Sequence, residues 1–464
     1  MQRIQIINTK KNINKEVKLC GWVHFKRNLG KITFITLRDA SATIQVVCPL
    51  KKIDAKAKKL IEEIGPESVI EIIGTINKRP ENQINKEMKT GELEISLKDI
   101  KILSKSKTPP FEINKNRKIK EELRLKYRYL DLRRKEVKEN MVLRHKIIKA
   151  IRDYLDKNEF LEIETPILAK GTPEGAREFI VPSRLYPGQF YTLPQAPQQF
   201  KQLLMIGGIE KYFQIARCFR DEDTRGDRQP EFSQLDIEMS FVNQEQILSL
   251  IEKMVVSIIK KTCPDKKFNS PFKRLTFEQA QKKYNTDKPD LRKNKKDKNE
   301  LAFCFITDFP LFEQSETEDK LVSVHHPFTA PQEKNSKKIK KDPLKIKAFQ
   351  YDLVCNGYEI AGGSIRIHSK ELQRTIFEIL DIPKHEINRR FGHLLKALEY
   401  GTPPHGGIAF GLDRLIMILA NAPNIREVIP FPKTSDNKDL MMGAPSKLPK
   451  ENLKNAHIKI DKDK

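Results

Sequence analysis

The sequence predicts an α+β protein in two unlike parts, a small all-β domain and then a larger domain of antiparallel strands flanked by helices. Three observations predict it. Five short strand-like runs with one helical insert fill residues 17–104, a basic proline-marked stretch without periodicity follows at 105–120, and two alternating runs within 211–241 flank a long charged segment.

The first part reads VKLCGWVHF, ITFITLRD, TIQVVCP, then AKAKKLIEEI at helical spacing, then SVIEIIGTI and ELEISLKDIKIL. Five strands with a helix before the fourth is the order of an OB-fold barrel, whose second and third strands commonly form a single-stranded nucleic-acid face. An unrelated small barrel would carry the same pattern. KSKTPPFEINKNRKIK at 105–120 has neither period and reads as a linker or hinge. VLRHKIIKAIRDYLDKN, Val142–Asn158, spaces its apolar residues as a helix does and precedes LEIETPIL. KYFQIARCF and SQLDIEMSF alternate as two antiparallel strands, and YDLVCNGYEIAGGSIRIH, Tyr351–His368, reads as two more. The boundaries expected are 1–104 for the barrel, 105–138 for the connection, 139–445 for the larger domain and 446–464 for a polar tail that frays.

Among 464 residues, 87 Lys and Arg stand against 62 Asp and Glu, a net charge of +25. That excess implies an anionic partner, nucleic acid rather than membrane, because no apolar run approaches a bilayer span. Lysine, isoleucine and asparagine are frequent everywhere, so biased gene composition supplies part of the charge. Six cysteines lie scattered without a C-x-x-C pair, which points away from zinc and disulfide frameworks and towards a reducing cytoplasm. MQRIQIINTK lacks the apolar core of a signal peptide.

Between the paired runs lies FRDEDTRGDRQPEF, Phe219–Phe232. Arg220, Arg225 and Arg228 offer planar forks that match phosphate oxygens in pairs, while Asp221, Glu222, Asp223, Asp227 and Glu231 keep the segment from being a plain basic patch. A solvated hairpin loop laced with ion pairs would look similar. The strands on either side favour a loop carrying chemistry, one built to hold a polyphosphate and its metal.

Extended to Glu238, the same stretch resembles the second signature motif of the class II aminoacyl-tRNA synthetases in their bacterial aspartyl form. FLEIETPILAKGTPEGAREFIVPSR, Phe160–Arg184, resembles the first motif and the aspartate-specific loop after it, and GGIAFGLDRLIMILANAPNIREVIPFPK, Gly406–Lys433, resembles the third. The resemblance runs from Val17 to about Pro445. It implies an N-terminal OB-fold anticodon domain, a class II catalytic domain, cytoplasmic location and a homodimer formed through the first motif. The reaction implied is ATP-dependent activation of L-aspartate, with Mg2+, and its transfer to tRNA(Asp).

Residue by residue, the resemblance makes Arg220 the bridge between the substrate carboxylate and the α-phosphate. Arg414 would hold the γ-phosphate and stack on the adenine, opposite Phe232, with Gln229 a further ATP contact. Asp221, Glu222, Glu359, Gly411, Leu412 and Asp413 complete the implied ATP set. Asp352 and Glu359 match Mg2+ ligands, although either alone reads as a surface charge. Lys201 and Arg366 match the pair that receives the aspartate side chain, with His325 and His326 nearby, and Glu174, Gln198 and Asp236 would take its ammonium. In the barrel Phe34 matches the aromatic that stacks on an anticodon base, Gln45 and Glu94 match base readers, and Arg27 is a further contact.

One departure stands out. The bacterial aspartyl enzymes carry an inserted domain between segments matching RLTFEQAQKKYNTDKPDLR and CFITDFPLFE, and here only KNKKDKNELAF joins the two, a solvated remnant at about 293–301. Three other readings share part of the pattern: an asparaginyl- or lysyl-tRNA synthetase of the same subclass, a non-catalytic tRNA-binding paralogue, and a ligase passing aspartyl adenylate to ammonia. Arg366 with Lys201 argues against lysine; Arg220, Glu359 and Arg414 argue against loss of catalysis; the barrel argues against the ammonia ligase.

Overall fold

Strict alternation closes the first domain into a barrel. A computed structural model describes residues 1–114, 118–171, 175–315 and 319–461. The strands are β1 (Glu16–Leu29), β2 (Ile32–Arg38), β3 (Thr43–Pro49), β4 (Val69–Lys78) and β5 (Leu93–Ser104), in the closed order β1-β2-β3-β5-β4. Only β3 and β5 pair in parallel. Inward positions such as Leu19, Val23, Ile35, Leu37, Ile44, Val46, Ile72 and Ile95 are buried in one core. Helix α1 (Ala55–Glu63) opens on Asp54, whose carboxylate accepts from the Ala57 amide at 2.6 Å.

Contacts divide the chain into two units, Met1–Arg124 with Tyr129–Arg134, and Leu125–Arg128 with Lys135–Lys464. The stretch read from sequence as a linker carries two short helices, Glu121–Lys126 and Arg128–Asp131, and Arg124 pairs with Asp131 at 2.9 and 3.0 Å.

The second unit centres on an eight-stranded sheet. In chain order its strands are β6 (Leu161–Glu162), β7 (Lys211–Phe219), β8 (Glu231–Ser240), β9 (Lys273–Thr276), β10 (Phe303–Thr307), β11 (Gln350–Cys355), β12 (Tyr358–Ile365) and β13 (His405–Gly411). They lie in the order β9-β10-β11-β12-β13-β8-β7-β6, antiparallel except for the two edge pairs. Helices α2 (Lys135–Lys157), α3 (Gln198–Ile206), α4 (Gln244–Thr262), α5 (Phe277–Tyr284) and α6 (Leu412–Leu419) accompany it. Leu235, Ile237 and Met239 of β8, Ile408 and Phe410 of β13 and Tyr351 and Leu353 of β11 share a core with apolar residues of α2, α4 and α6. Period two sends the alternate residues of the same strands, Asp236 and Glu238 among them, to the opposite face.

The trimmed connector is held by hydrogen bonds and by its last residues: the amides of Lys293 and Asn294 donate to the Glu300 carboxylate at 2.8 and 2.9 Å, that of Lys267 donates to the Asn299 carbonyl at 2.8 Å, and Leu301 and Phe303 are buried in the main core. The tail departs from the fraying expected of it. Residues Lys450–Asn455 form a helical turn behind Pro449, and a ring nitrogen of His457 lies 3.2 Å from the Arg184 carbonyl.

Candidate active site

A cavity of about 440 Å³ opens over the face of the sheet opposite α2, α4 and α6, between the charged loop, α3 and the ends of β8, β12 and β13. Of the residues singled out from sequence, Gln198, Lys201, Arg220, Glu222, Gln229, Phe232, His325, His326, Glu359, Arg366, Gly411, Asp413 and Arg414 line it. Asp236 and Asp352 are buried beside the lining. Leu412 packs wholly in the core, and Asp221 stands outside the lining with a half-exposed side chain. Glu174 falls outside the described residues.

One end of the cavity is a network of four buried charges. Lys201 reaches Asp236 at 2.6 Å and Glu238 at 3.4 Å, and Arg366 grips Glu238 with two bonds of 2.9 and 3.1 Å. The two cations line the cavity while the two carboxylates sit behind them. Burial pushes the Asp236 carboxyl up against the pull of Lys201. Glu238 is buried as deeply, yet Arg366 and Lys201 together hold its carboxyl below the usual range. Glu238 was not singled out from sequence, although it lies two positions after Asp236 on β8 and so shares its face. Gly407 of β13 packs over it, and a Cβ there would fall 2.2 Å from Glu238 Oε2.

His326 joins this network. The Arg366 guanidinium offers only donors, and His326 Nε2 lies 2.7 Å from it, while Nδ1 accepts from the Phe328 amide at 3.2 Å and lies 3.4 Å from the Thr329 hydroxyl. Burial, then the neighbouring imidazole and the cations, keep His326 well below its ordinary value. Burial and the charges of Arg366, Lys201 and Arg220 push His325 down to about 3, although its ring opens onto the cavity.

Among the described residues, four buried polar atoms in or beside this cavity have no partner: Gln198 Nε2, Asp236 Oδ2, Arg220 Nε and Arg414 Nε. Donors and an acceptor left unpaired in one cavity suit a ligand that carries both charges. Toward the charged loop, Arg220 stacks over Phe232 with 5.1 Å from its guanidinium carbon to the ring centroid. Arg414 donates to the Glu359 carbonyl and pairs with Asp227 at 3.1 Å. Glu222 pairs with Arg228 at 3.3 Å. The Gln229 side chain holds Lys433 through bonds of 2.7 and 3.2 Å, and Asp413 accepts from the Ser233 amide at 2.9 Å and pairs with Arg144. These last two side chains anchor the cavity wall.

Asp352 and Glu359 converge over Gly362. A Cβ at that glycine would lie 3.0 Å from Asp352 Oδ1 and 3.5 Å from Glu359 Oε1, so the bare Cα leaves a hollow bounded by both carboxylates. Glu359 and Gly362 are three apart and would lie on opposite faces of a regular strand. A bulge prevents this: Leu353 faces Ala361 and Val354 faces Glu359, so Ile360 has no partner and Glu359 turns onto the cavity face. Burial, then repulsion from Glu359, pushes the Asp352 carboxyl well above its ordinary value. Among the described residues no group of three or more His, Cys, Asp or Glu side chains could hold a metal, so a cation here would rest on two carboxylates and a substrate oxygen, as Mg2+ commonly does.

In the barrel the four predicted residues form one outward stripe. Arg27 is paired with Phe34, Phe34 shares a face with Thr36, Thr36 is paired with Gln45, and Gln45 with Glu94. The Gln45 amide donates to the Glu94 carboxylate at 3.2 Å.

Residues 120–435 match the family described as tRNA synthetases class II (D, K and N), and residues 17–103 match the OB-fold nucleic acid binding domain. The aspartate--tRNA(Asp/Asn) ligase of Natranaerobius thermophilus is 41% identical over 577 positions, covering 98% of each chain. That of Dehalococcoides mccartyi strain 195 is 40% identical over 589 positions, again with 98% of each covered. The first alignment exceeds this chain's 464 residues by 113, so at least that many positions are unmatched here. Among solved structures, asparaginyl-tRNA synthetase from Pyrococcus horikoshii complexed with asparaginyl-adenylate superposes with a TM-score of 0.74 at 21% identity, covering 91% of this chain and 96% of that one. A putative aspartyl-tRNA synthetase from Leishmania major gives 0.74 at 20% identity, covering 93% and 94%. At such identities the likeness is one of fold.

Proposed function

Because the chain belongs to the class II tRNA synthetases for aspartate, lysine and asparagine, and is an aspartate–tRNA ligase among them, we propose that this cavity joins L-aspartate first to AMP and then to the 3′ end of tRNA(Asp). The observation that carries the choice of amino acid is the wall formed by Lys201 and Arg366, with its balancing carboxylates set behind it. A lysine substrate would bring an ammonium against two cations. Asparagine would leave both facing a neutral amide.

In the first step the aspartate α-carboxylate attacks the α-phosphorus of ATP and pyrophosphate leaves; in the second a ribose hydroxyl of the tRNA attacks the mixed anhydride and AMP leaves. Neither step needs a nucleophile from the enzyme, so its work is positioning and charge neutralisation. Arg220, with Nε unpaired, spans carboxylate and α-phosphate. Asp236 Oδ2 and Gln198 take the substrate's ammonium end, together with Glu174. Arg414 takes the γ-phosphate in exchange for Asp227, and Phe232 bears on the adenine. Mg2+, held between Asp352 and Glu359, would neutralise phosphate charge.

The stripe Arg27, Phe34, Gln45 and Glu94 is assigned to anticodon bases, with stacking on Phe34 contributing about 1–3 kcal/mol. A homodimer through the first motif accounts for the apolar side chains exposed along it and its following loop, Leu161, Ile167, Leu168 and Ile180. Among the described residues no helix is long and apolar enough to cross a membrane, and the cytoplasm is the proposed location. The test is ATP–pyrophosphate exchange with aspartate, asparagine and lysine in turn, then charging of tRNA(Asp) and tRNA(Asn) by the purified chain alone. Exchange with aspartate only, followed by charging of tRNA(Asp), is expected. Exchange driven by asparagine or lysine overturns the assignment, and adenylate formation without charging shows that the trimmed domain was needed for the second step.

A further inference from the structure

Resting on the reading of Asp352 and Glu359 as the metal carboxylates, one charged group beside them has no part in the chemistry above. Lys288 lies in the segment that led into the trimmed domain, and its Nζ is 3.1 Å from Glu359 Oε2. The segment is pinned locally. The Lys288 amide donates to the Thr286 hydroxyl at 3.1 Å, and Asp290 accepts from both the backbone and the guanidinium of Arg292 at 2.8–3.2 Å. Its backbone runs past the β11–β12 turn, where a Cβ on Gly357 would come 3.6 Å from Asp290 Cβ and 3.9 Å from the Lys288 carbonyl. This lysine is therefore held against the site.

Glu359 divides its oxygens between two tasks. Oε1 faces the Gly362 hollow with Asp352, and Oε2 faces Lys288. Asp287 adds a further negative charge near Asp352. Two or three carboxylates with no cation repel one another, whereas one ammonium balances only part of that charge. We propose that Lys288 is the resident counter-ion of this site, holding Glu359 in place before substrate arrives and disfavouring a divalent ion that comes without ATP. The metal then enters with its nucleotide, whose phosphates bring the additional negative charge.

The probe is Mn2+, titrated into nucleotide-free enzyme with the unbound ion followed by electron paramagnetic resonance. Lys288→Met is expected to tighten Mn2+ binding roughly 3- to 30-fold, the range for removing one unit charge beside a divalent ion in a partly solvated site. Lys288→Arg should stay near wild type, and Glu359→Gln added to Lys288→Met should abolish the gain. A merely structural lysine would loosen the site, so unchanged or weaker Mn2+ binding by a folded Lys288→Met protein overturns the proposal. Lys288→Gln repeats the test should the methionine variant fold poorly. Mn2+ binding indifferent to Glu359→Gln overturns the metal site itself, and the role of Lys288 with it.

Discussion

Replacing Arg366 by leucine should damage folding and aspartate recognition by separable amounts. The guanidinium is 1% exposed and makes two bonds to the buried Glu238. Without it Glu238 keeps only Lys201, at 3.4 Å, already committed to Asp236 at 2.6 Å. Removing one partner of such a buried pair costs about 3–5 kcal/mol of stability. The substrate's side-chain carboxylate loses one of two cations, about 3 kcal/mol, which corresponds to roughly a hundredfold rise in KM for aspartate. The residues assigned to ATP line the other end of the cavity, so its KM should stay within about threefold. The decisive comparison is the double variant Arg366→Leu with Glu238→Leu, which removes both charges and should recover much of the stability in urea unfolding while leaving aspartate binding poor. Recovery of aspartate KM along with stability, or an equal rise in KM for ATP, would show that Arg366 only props up the fold.

Other perturbations separate the remaining roles. Arg220→Ala should leave the urea midpoint close to wild type and lower aspartate-dependent exchange by at least ~100-fold, as loss of one transition-state donor does; a change of only a few-fold removes Arg220 from the chemistry. Phe34→Ala should impair tRNA charging and leave exchange nearly unchanged, and an equal loss of both would contradict the division of labour between the units. Because His326 is held below its unfolded value, the unfolded chain takes up its proton first, and stability should fall as pH drops below about 6.5. His326→Gln should flatten that decline between pH 7 and 5 by about 2 kcal/mol, measured by urea unfolding at each pH.

Much of this protein was legible in the chain because its elements repeat short periods. Alternation in VKLCGWVHF and TIQVVCP gives barrel strands whose inward residues are buried, and the same period places Phe34, Gln45 and Glu94 on one outward face once the strands are paired. The charged loop marked Arg220, and the family resemblance marked Lys201, Arg366 and Arg414, which come together with it around one cavity from segments up to about two hundred positions apart. Three things depended on the tertiary structure. Glu238 became the partner of Arg366 because packing β13 on β8 buries a carboxylate that sequence shows only as one more alternate polar residue. Lys288 reached Glu359 because its segment folds over the β11–β12 turn, a contact across 71 positions that no local pattern encodes. Glu359 reached the face of Asp352 only through the bulge at Ile360, since in a regular strand three residues from Gly362 is the wrong side. Periodicity reports which face of its own element a residue occupies; register, bulges and the approach of distant segments are settled by packing the whole chain, and they set which charges meet.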